Sequence, residues 1–155
     1  MSEAAFPGRL LGVDHGLKVI GLAISDPTGL LARPLTLLWR ASRREDFARI
    51  NTVIAAHGVA GLVVGLPESP PHITAYTQAD RVRLWASRLA AAVEAPVYLW
   101  NERYSSQEAE ELLAEAGRQR PERIDAVAAA VILQGFLDAL RAGEPWPEPV
   151  APARD

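Results

Sequence analysis

Three carboxylates in this chain border apolar runs, where an isolated acid is poorly accommodated. Asp14 ends the apolar run RLLGVD at residues 9–14. Glu102 follows the run PVYLW at residues 96–100 and lies between Asn101 and Arg103, and Asp125 shares a helical face with Ala129, Ile132 and Phe136. Each alone has a plain explanation: a hairpin acid in water, a polar residue meeting solvent at a strand end, an acid favoured by the macrodipole in the first turn of a helix. A carboxylate on an apolar face, however, needs a counter-charge or a raised pKa. Acids from a first strand, from the end of a late central strand and from the start of a last helix can meet at one edge of a mixed sheet, the place where open sheets hold ligands. Gathered there they repel, which raises at least one pKa, unless cations lie between them. With no cysteine and three histidines in the sequence, the available ligands favour hard cations. One or two magnesium or manganese ions would neutralise the three acids and clamp an in-line phosphoryl displacement. Asp14, Glu102 and Asp125 are therefore the expected metal ligands and the expected catalytic centre.

Those acids need elements to position them. Residues 9–14 form an apolar run, and residues 19–25 (VIGLAIS) alternate with period two, so two strands joined by His15-Gly16-Leu17-Lys18 make a hairpin. Residues 32–39 supply a third antiparallel strand after the turn residues Asp26-Pro27-Thr28-Gly29. From Arg43 the apolar positions Phe47, Ile50 and Ile54 recur at helical spacing, and Gly58 is the stop. Runs at 61–67 and 96–100 suit central strands buried on both faces, with a helix from about residue 74 to 93 between them. Ser105 and Glu108 have capping-box spacing, so a helix is expected from there through Leu113; a last helix over about 121–140 is apolar nearly all round and predicts burial between neighbours. The predicted fold is α/β, a mixed five-stranded sheet of an antiparallel three-strand meander and two parallel strands, flanked by helices. Gly21, Ala23 and Ser25 make a small-residue face suited to helix packing. Gly12 and Gly61 are expected at turns or close backbone approaches. His15, His57 and His72 are expected at the surface.

At 155 residues the chain fits one domain, placed at 1–142, with four prolines in the segment 143–155 predicting a flexible tail. No apolar run approaches bilayer length and MSEAAFPGRL lacks signal-peptide order, so a cytoplasmic protein with no membrane partner is expected. The formal charge of -3 argues against indiscriminate polyanion binding but not against a site-specific nucleic-acid partner.

With these residues in hand, the chain resembles the YqgF/RuvX family of ribonuclease H-like proteins, whose members carry the names Holliday junction resolvase and pre-16S rRNA nuclease. Four blocks match in order: LGVDHGLKVIGLAISD, VVGLP, NERYSSQEAEELL and IDAVAAAVILQGFLD. The family's motif acids fall on Asp14, Glu102 and Asp125. The resemblance implies a ribonuclease H-like fold, divalent-metal-dependent phosphodiester cleavage, and structured RNA, such as the 5′ end of a ribosomal RNA precursor, or branched DNA as the partner. A homodimer is compatible with it. Lys18, Arg103, Ser105 and Ser106 are the candidates to contact nucleic acid. Departures are an amide, Asn101, where the family has an acid, Val19 in place of an arginine, and a proline-rich loop at 68–74. Two other classes stand beside the nuclease: a nucleic-acid-binding module that kept the fold without cleavage, and a phosphotransferase with an Asp-x-Gly hairpin, which would need a second lobe to enclose its nucleotide.

Overall fold

The computed structural model describes residues 6–68, 76–101, 111–112, 114–115, 118 and 124–154. Three strands, β1 (Arg9–His15), β2 (Val19–Ser25) and β3 (Ala32–Trp39), are followed by α1 (Arg43–His57), β4 (Val59–Leu66), α2 (Gln78–Ala92), β5 (Val97–Asn101) and α3 (Ile124–Arg141). The strands form one sheet in the order β3-β2-β1-β4-β5. The β1–β2 and β2–β3 pairs are antiparallel and the β1–β4 and β4–β5 pairs parallel, as expected, but β5, expected to be central and buried on both faces, is an edge strand and mostly half-buried. Pro34, which cannot donate to a ladder, lies on the edge strand β3 beside a register shift at Leu22/Ala23.

Local signals fix the helix ends. The Ser42 hydroxyl accepts from the Glu45 amide at the start of α1, and Gly58 ends it in the left-handed region at φ 64. Thr77 and Asp80 form a reciprocal capping box that starts α2 a few residues later than periodicity suggests. Residues 111, 112, 114, 115 and 118 are helical, in line with a helix through this region; its expected start at Ser105 lies outside the described residues.

The sheet separates two cores. On one face Leu11, Val13, Ile20, Leu22, Leu62 and Val64 pack with Phe47 and Ile50 of α1 and with Val82, Trp85 and Leu89 of α2. On the other, Leu10, Ala23 and Val63 pack with Ala129, Ile132, Leu133, Phe136 and Leu137 of α3. Although α3 is apolar nearly all round, only this stripe and Ala126 are buried among its described residues, while Val127 and Val131 are half-buried and Ile124 is exposed. Of the burial between neighbours expected for it, the described residues show the side against the sheet: α3 lies along one sheet face.

Residues 143–154 contain no regular element, as the prolines dictate, yet they are held against the body. Trp146 packs on Phe6, Tyr98 and Phe136, with ring centroids 5.8, 5.3 and 5.5 Å away. The Val150 amide then donates to the Val97 carbonyl of the edge strand β5 (2.7 Å), and the Ala153 amide donates to the Ser87 carbonyl of α2 (2.8 Å). The segment expected to be a flexible tail is thus a strap that crosses the β5 edge from the α3 face to the α2 face, covering backbone groups an edge strand would otherwise expose.

Candidate functional site

The carboxylate edge is built around glycines. Gly12 has so little clearance that a Cβ there would come within 2.7 Å of the Ala129 carbonyl oxygen and 2.8 Å of the Leu133 Cβ. Position 12 therefore faces α3, and by strand alternation Asp14 does too. Across the hairpin, Asp14 is the register partner of Gly21. A Cβ at Gly21 would lie 1.9 Å from the Asp125 carbonyl oxygen, so the first turn of α3 rests directly on the glycine backbone. Asp125 is thus brought within about one cross-strand spacing, roughly 5 Å, of the Asp14 backbone. The small-residue face of β2 is what lets the helix come so close.

Asp125 is half-buried, and the water lost there pushes its carboxyl above its ordinary value. The direction matches the expectation for this acid, but the cause is desolvation rather than a neighbouring like charge. A group in this state fits a cation site, because a divalent ion beside it would restore the charged form. Two oxygen donors on one face, from β1 and α3, suit a hard cation. Among the described residues no three acids, histidines or cysteines come together. The third expected acid, Glu102, lies outside the described residues, as do Arg103, Ser105 and Ser106. Lys18 is exposed at the tip of the β1–β2 hairpin. That tip is tied down by Arg40, whose guanidinium donates to the Gly16 and Leu17 carbonyls at 3.1 Å each.

The residue after Asp14 points the other way. His15, expected at the surface, packs its ring on Trp85 at a centroid distance of 4.5 Å, and its Nε2 is buried without a hydrogen-bond partner among the described residues. Burial first, and then the Arg40 guanidinium, lower its pKa to about 4 against the opposing Asp46 carboxylate. His15 is therefore neutral at pH 7. Its helix-facing position follows from the period-two pattern of β1, which puts it on the side of Leu11 and Val13.

Comparison with known proteins agrees with this architecture. Residues 8–139 match the family described as RuvX: Holliday junction resolvase. A protein of Symbiobacterium thermophilum named "Putative pre-16S rRNA nuclease" is 42% identical over 140 residues, covering 88% of this chain and 96% of its own length. One of the same name from Moorella thermoacetica is 42% identical over 135 residues, covering 85% and 96%. Among solved structures, T. thermophilus RuvC in complex with a Holliday junction substrate superposes with a TM-score of 0.61 at 17% identity, over 92% of this chain and 99% of that one. The fowlpox virus resolvase bound to Holliday junction DNA gives 0.53 at 8% identity, over 85% and 98%. At such identities the structural likeness establishes the fold, which is ribonuclease H-like, while the match along 8–139 and the relatives at 42% establish the family. The chain belongs to the RuvX family of nucleases.

Proposed function

We propose that this protein is a divalent-metal-dependent nuclease that cleaves structured RNA, with maturation of the 5′ end of pre-16S rRNA as its task. The observation that supports the proposal is the contact of Gly21, the register partner of Asp14, with the Asp125 backbone, which brings the start of α3 over the sheet face that Asp14 shares. Glu102 is the third member. On β5 the residues packed toward α3 are Tyr98 and Trp100, and 102 is the next position of the same parity. Relatives at 36–42% identity named for pre-16S rRNA support RNA as the substrate.

Asp14, Glu102 and Asp125 would hold one or two magnesium or manganese ions, whose chemistry there is to polarise a phosphate oxygen and to lower the pKa of an attacking water. The protein's own contribution is positional. The β1–β2 hairpin and the N-terminus of α3 bring the chain positions of two of these acids to one sheet face, and the close helix–sheet packing limits water around Asp125. Lys18 at the exposed hairpin tip and Arg103 beside Glu102 bind phosphates of the substrate, and Ser105 and Ser106 add neutral donors.

Cleavage of labelled single-stranded RNA, single-stranded DNA, a precursor of the 16S 5′ end and a four-way DNA junction, each with magnesium and with manganese, tests this. The RNA precursor should be cut by the wild type and not by Asp14→Asn. Cleavage of the junction alone would make the protein a resolvase of branched DNA, and binding without cleavage in either metal would make it a nucleic-acid-binding module. Divalent ions should also raise Tm for the wild type far more than for Asp14→Asn or Asp125→Asn. Equal shifts in all three would remove the metal site.

A further inference from the structure

Asp14 and His15 are consecutive, so the sheet edge that bears the carboxylates has a second side. There an open cleft of about 340 Å³ lies between the hairpin and α2, floored by His15 and Trp85 and lined by Arg40, Arg81, Arg88 and Tyr76. We propose that this cleft binds one unpaired nucleotide of the nucleic-acid substrate, its phosphate held by the arginines and its base stacked on Tyr76. The inference rests on the nuclease reading of the carboxylate edge and names the part of the substrate that reaches beyond it.

Three observations carry it. Among the described residues the cleft's lining holds three guanidiniums and no carboxylate, in a chain whose net charge is -3. Neither Arg81 nor Arg88 is in an ion pair among the described residues, although the chain pairs Arg49, Arg118 and Arg141 with nearby acids. Unpaired guanidiniums converging on a concave surface are a phosphate-binding arrangement. Tyr76 is 61% exposed on the rim, an aromatic face in water beside those charges. Exposed aromatics with flanking cations are the platform on which unpaired bases stack, whereas a duplex keeps its bases unavailable. The cleft volume is at the small end of ligand sites, enough for one nucleotide and not for a helix. Finally, the position fits. Asp14 and His15 are consecutive on β1 and face opposite sides of the sheet, and Leu17 of the same hairpin lines the cleft, so a nucleic-acid strand leaving the carboxylates over the hairpin tip runs onto the arginines. The spacing Arg81, Trp85, Arg88 (i, i+4, i+7) on α2 shows these residues to share a helix face, but only the fold adds Arg40 and Tyr76 to it.

The test uses the full chain in EDTA, so that nothing is cut. A fluorescein-labelled unstructured RNA of roughly ten nucleotides, within the site sizes such platforms occupy, is titrated into the wild type, Arg81→Ala/Arg88→Ala, Tyr76→Ala and Tyr76→Phe. Each variant's Tm is checked first, and free adenosine and uridine monophosphates are titrated in parallel, following the Trp85 indole resonance. The arginine pair should weaken RNA binding about tenfold or more and make its salt dependence shallower by roughly 0.7 for each phosphate no longer neutralised. Tyr76→Ala should weaken it about tenfold, and Tyr76→Phe should restore it. Unchanged RNA affinity in the arginine and Tyr76→Ala variants overturns the proposal. So does a cleft that binds the monophosphates more tightly than the RNA, which would make it a site for free nucleotides. If the wild type binds in this way but cleaves nothing in either metal, the nuclease reading fails while the cleft remains a nucleotide site.

Discussion

At the scale of single residues, Gly21 decides whether a site can exist. Its hydrogen is all that fits beneath the Asp125 carbonyl, so Gly21→Ala must push the first turn of α3 off the sheet. Such overpacking costs about 1–3 kcal/mol. Because the displaced turn carries Asp125, the Tm shift produced by divalent ions should shrink as well; an Ala variant with wild-type stability and an undiminished shift would mean that the helix start is not fixed by this contact. His15 sets a pH dependence. Its folded pKa, about 4, lies below the ordinary value of 6.5, so between those values the unfolded chain binds more protons than the folded one. Stability should therefore be full above about pH 6.5 and fall as the pH drops toward 4. Metal-free wild type melted across that range should show a steeper loss than His15→Gln, which has no proton to take up. Parallel curves would place the imidazole in water.

At the scale of elements, β5 is the strand whose alternation carries the most consequence. Tyr98 and Trp100 face α3, while Val97 and Leu99 join the core under α1 and α2. Asn101 has the parity of the second set and Glu102 that of the first. Glu102→Gln removes a charge from the proposed metal site while keeping the side chain's shape, so cleavage should fall by orders of magnitude with RNA binding retained. Asn101→Asp should alter cleavage only modestly. Single-turnover rates of the two variants decide the assignment: a strong gain in Asn101→Asp with an unaffected Glu102→Gln would exchange their roles, and the family acid missing at position 101 would then mark lost activity. The element boundaries are largely legible in the sequence because each has a local cause. Gly58 ends α1 where a left-handed residue is needed, and the alternation of VIGLAIS fixes β2 to the residue. The start of α2 is harder to place from periodicity because its signal is a Thr77/Asp80 box in which aspartate stands where glutamate is usual.

At the scale of the whole molecule, the strap of residues 143–154 joins both faces of the sheet. Deleting it removes Trp146 from an aromatic cluster with Phe6, Tyr98 and Phe136 and uncovers the β5 edge. The loss should be on the order of 2 kcal/mol, a fall of several degrees in Tm for a domain of this size. A truncated protein that melts with the full chain would return the segment to the status of a free tail. Local chemistry could not reveal this docking: prolines exclude regular hydrogen bonding, but whether an irregular segment finds a partner depends on surfaces far away in sequence. What the sequence by itself determined is whatever follows from period and neighbouring residues: the meander, the parallel strands, the small-residue face of β2 and the acids Asp14 and Asp125 at element ends. The tertiary structure alone decided which separated groups meet. Asp125 comes to Asp14 only because α3 settles on Gly21, 104 positions before it in the chain. Likewise Arg40 joins Arg81 and Arg88 only because β1, placed centrally in the sheet, brings its hairpin beside α2. Periodicity acts over a few residues, whereas such meetings are set by how closely a helix can approach a sheet, and that depends on the packing of the whole.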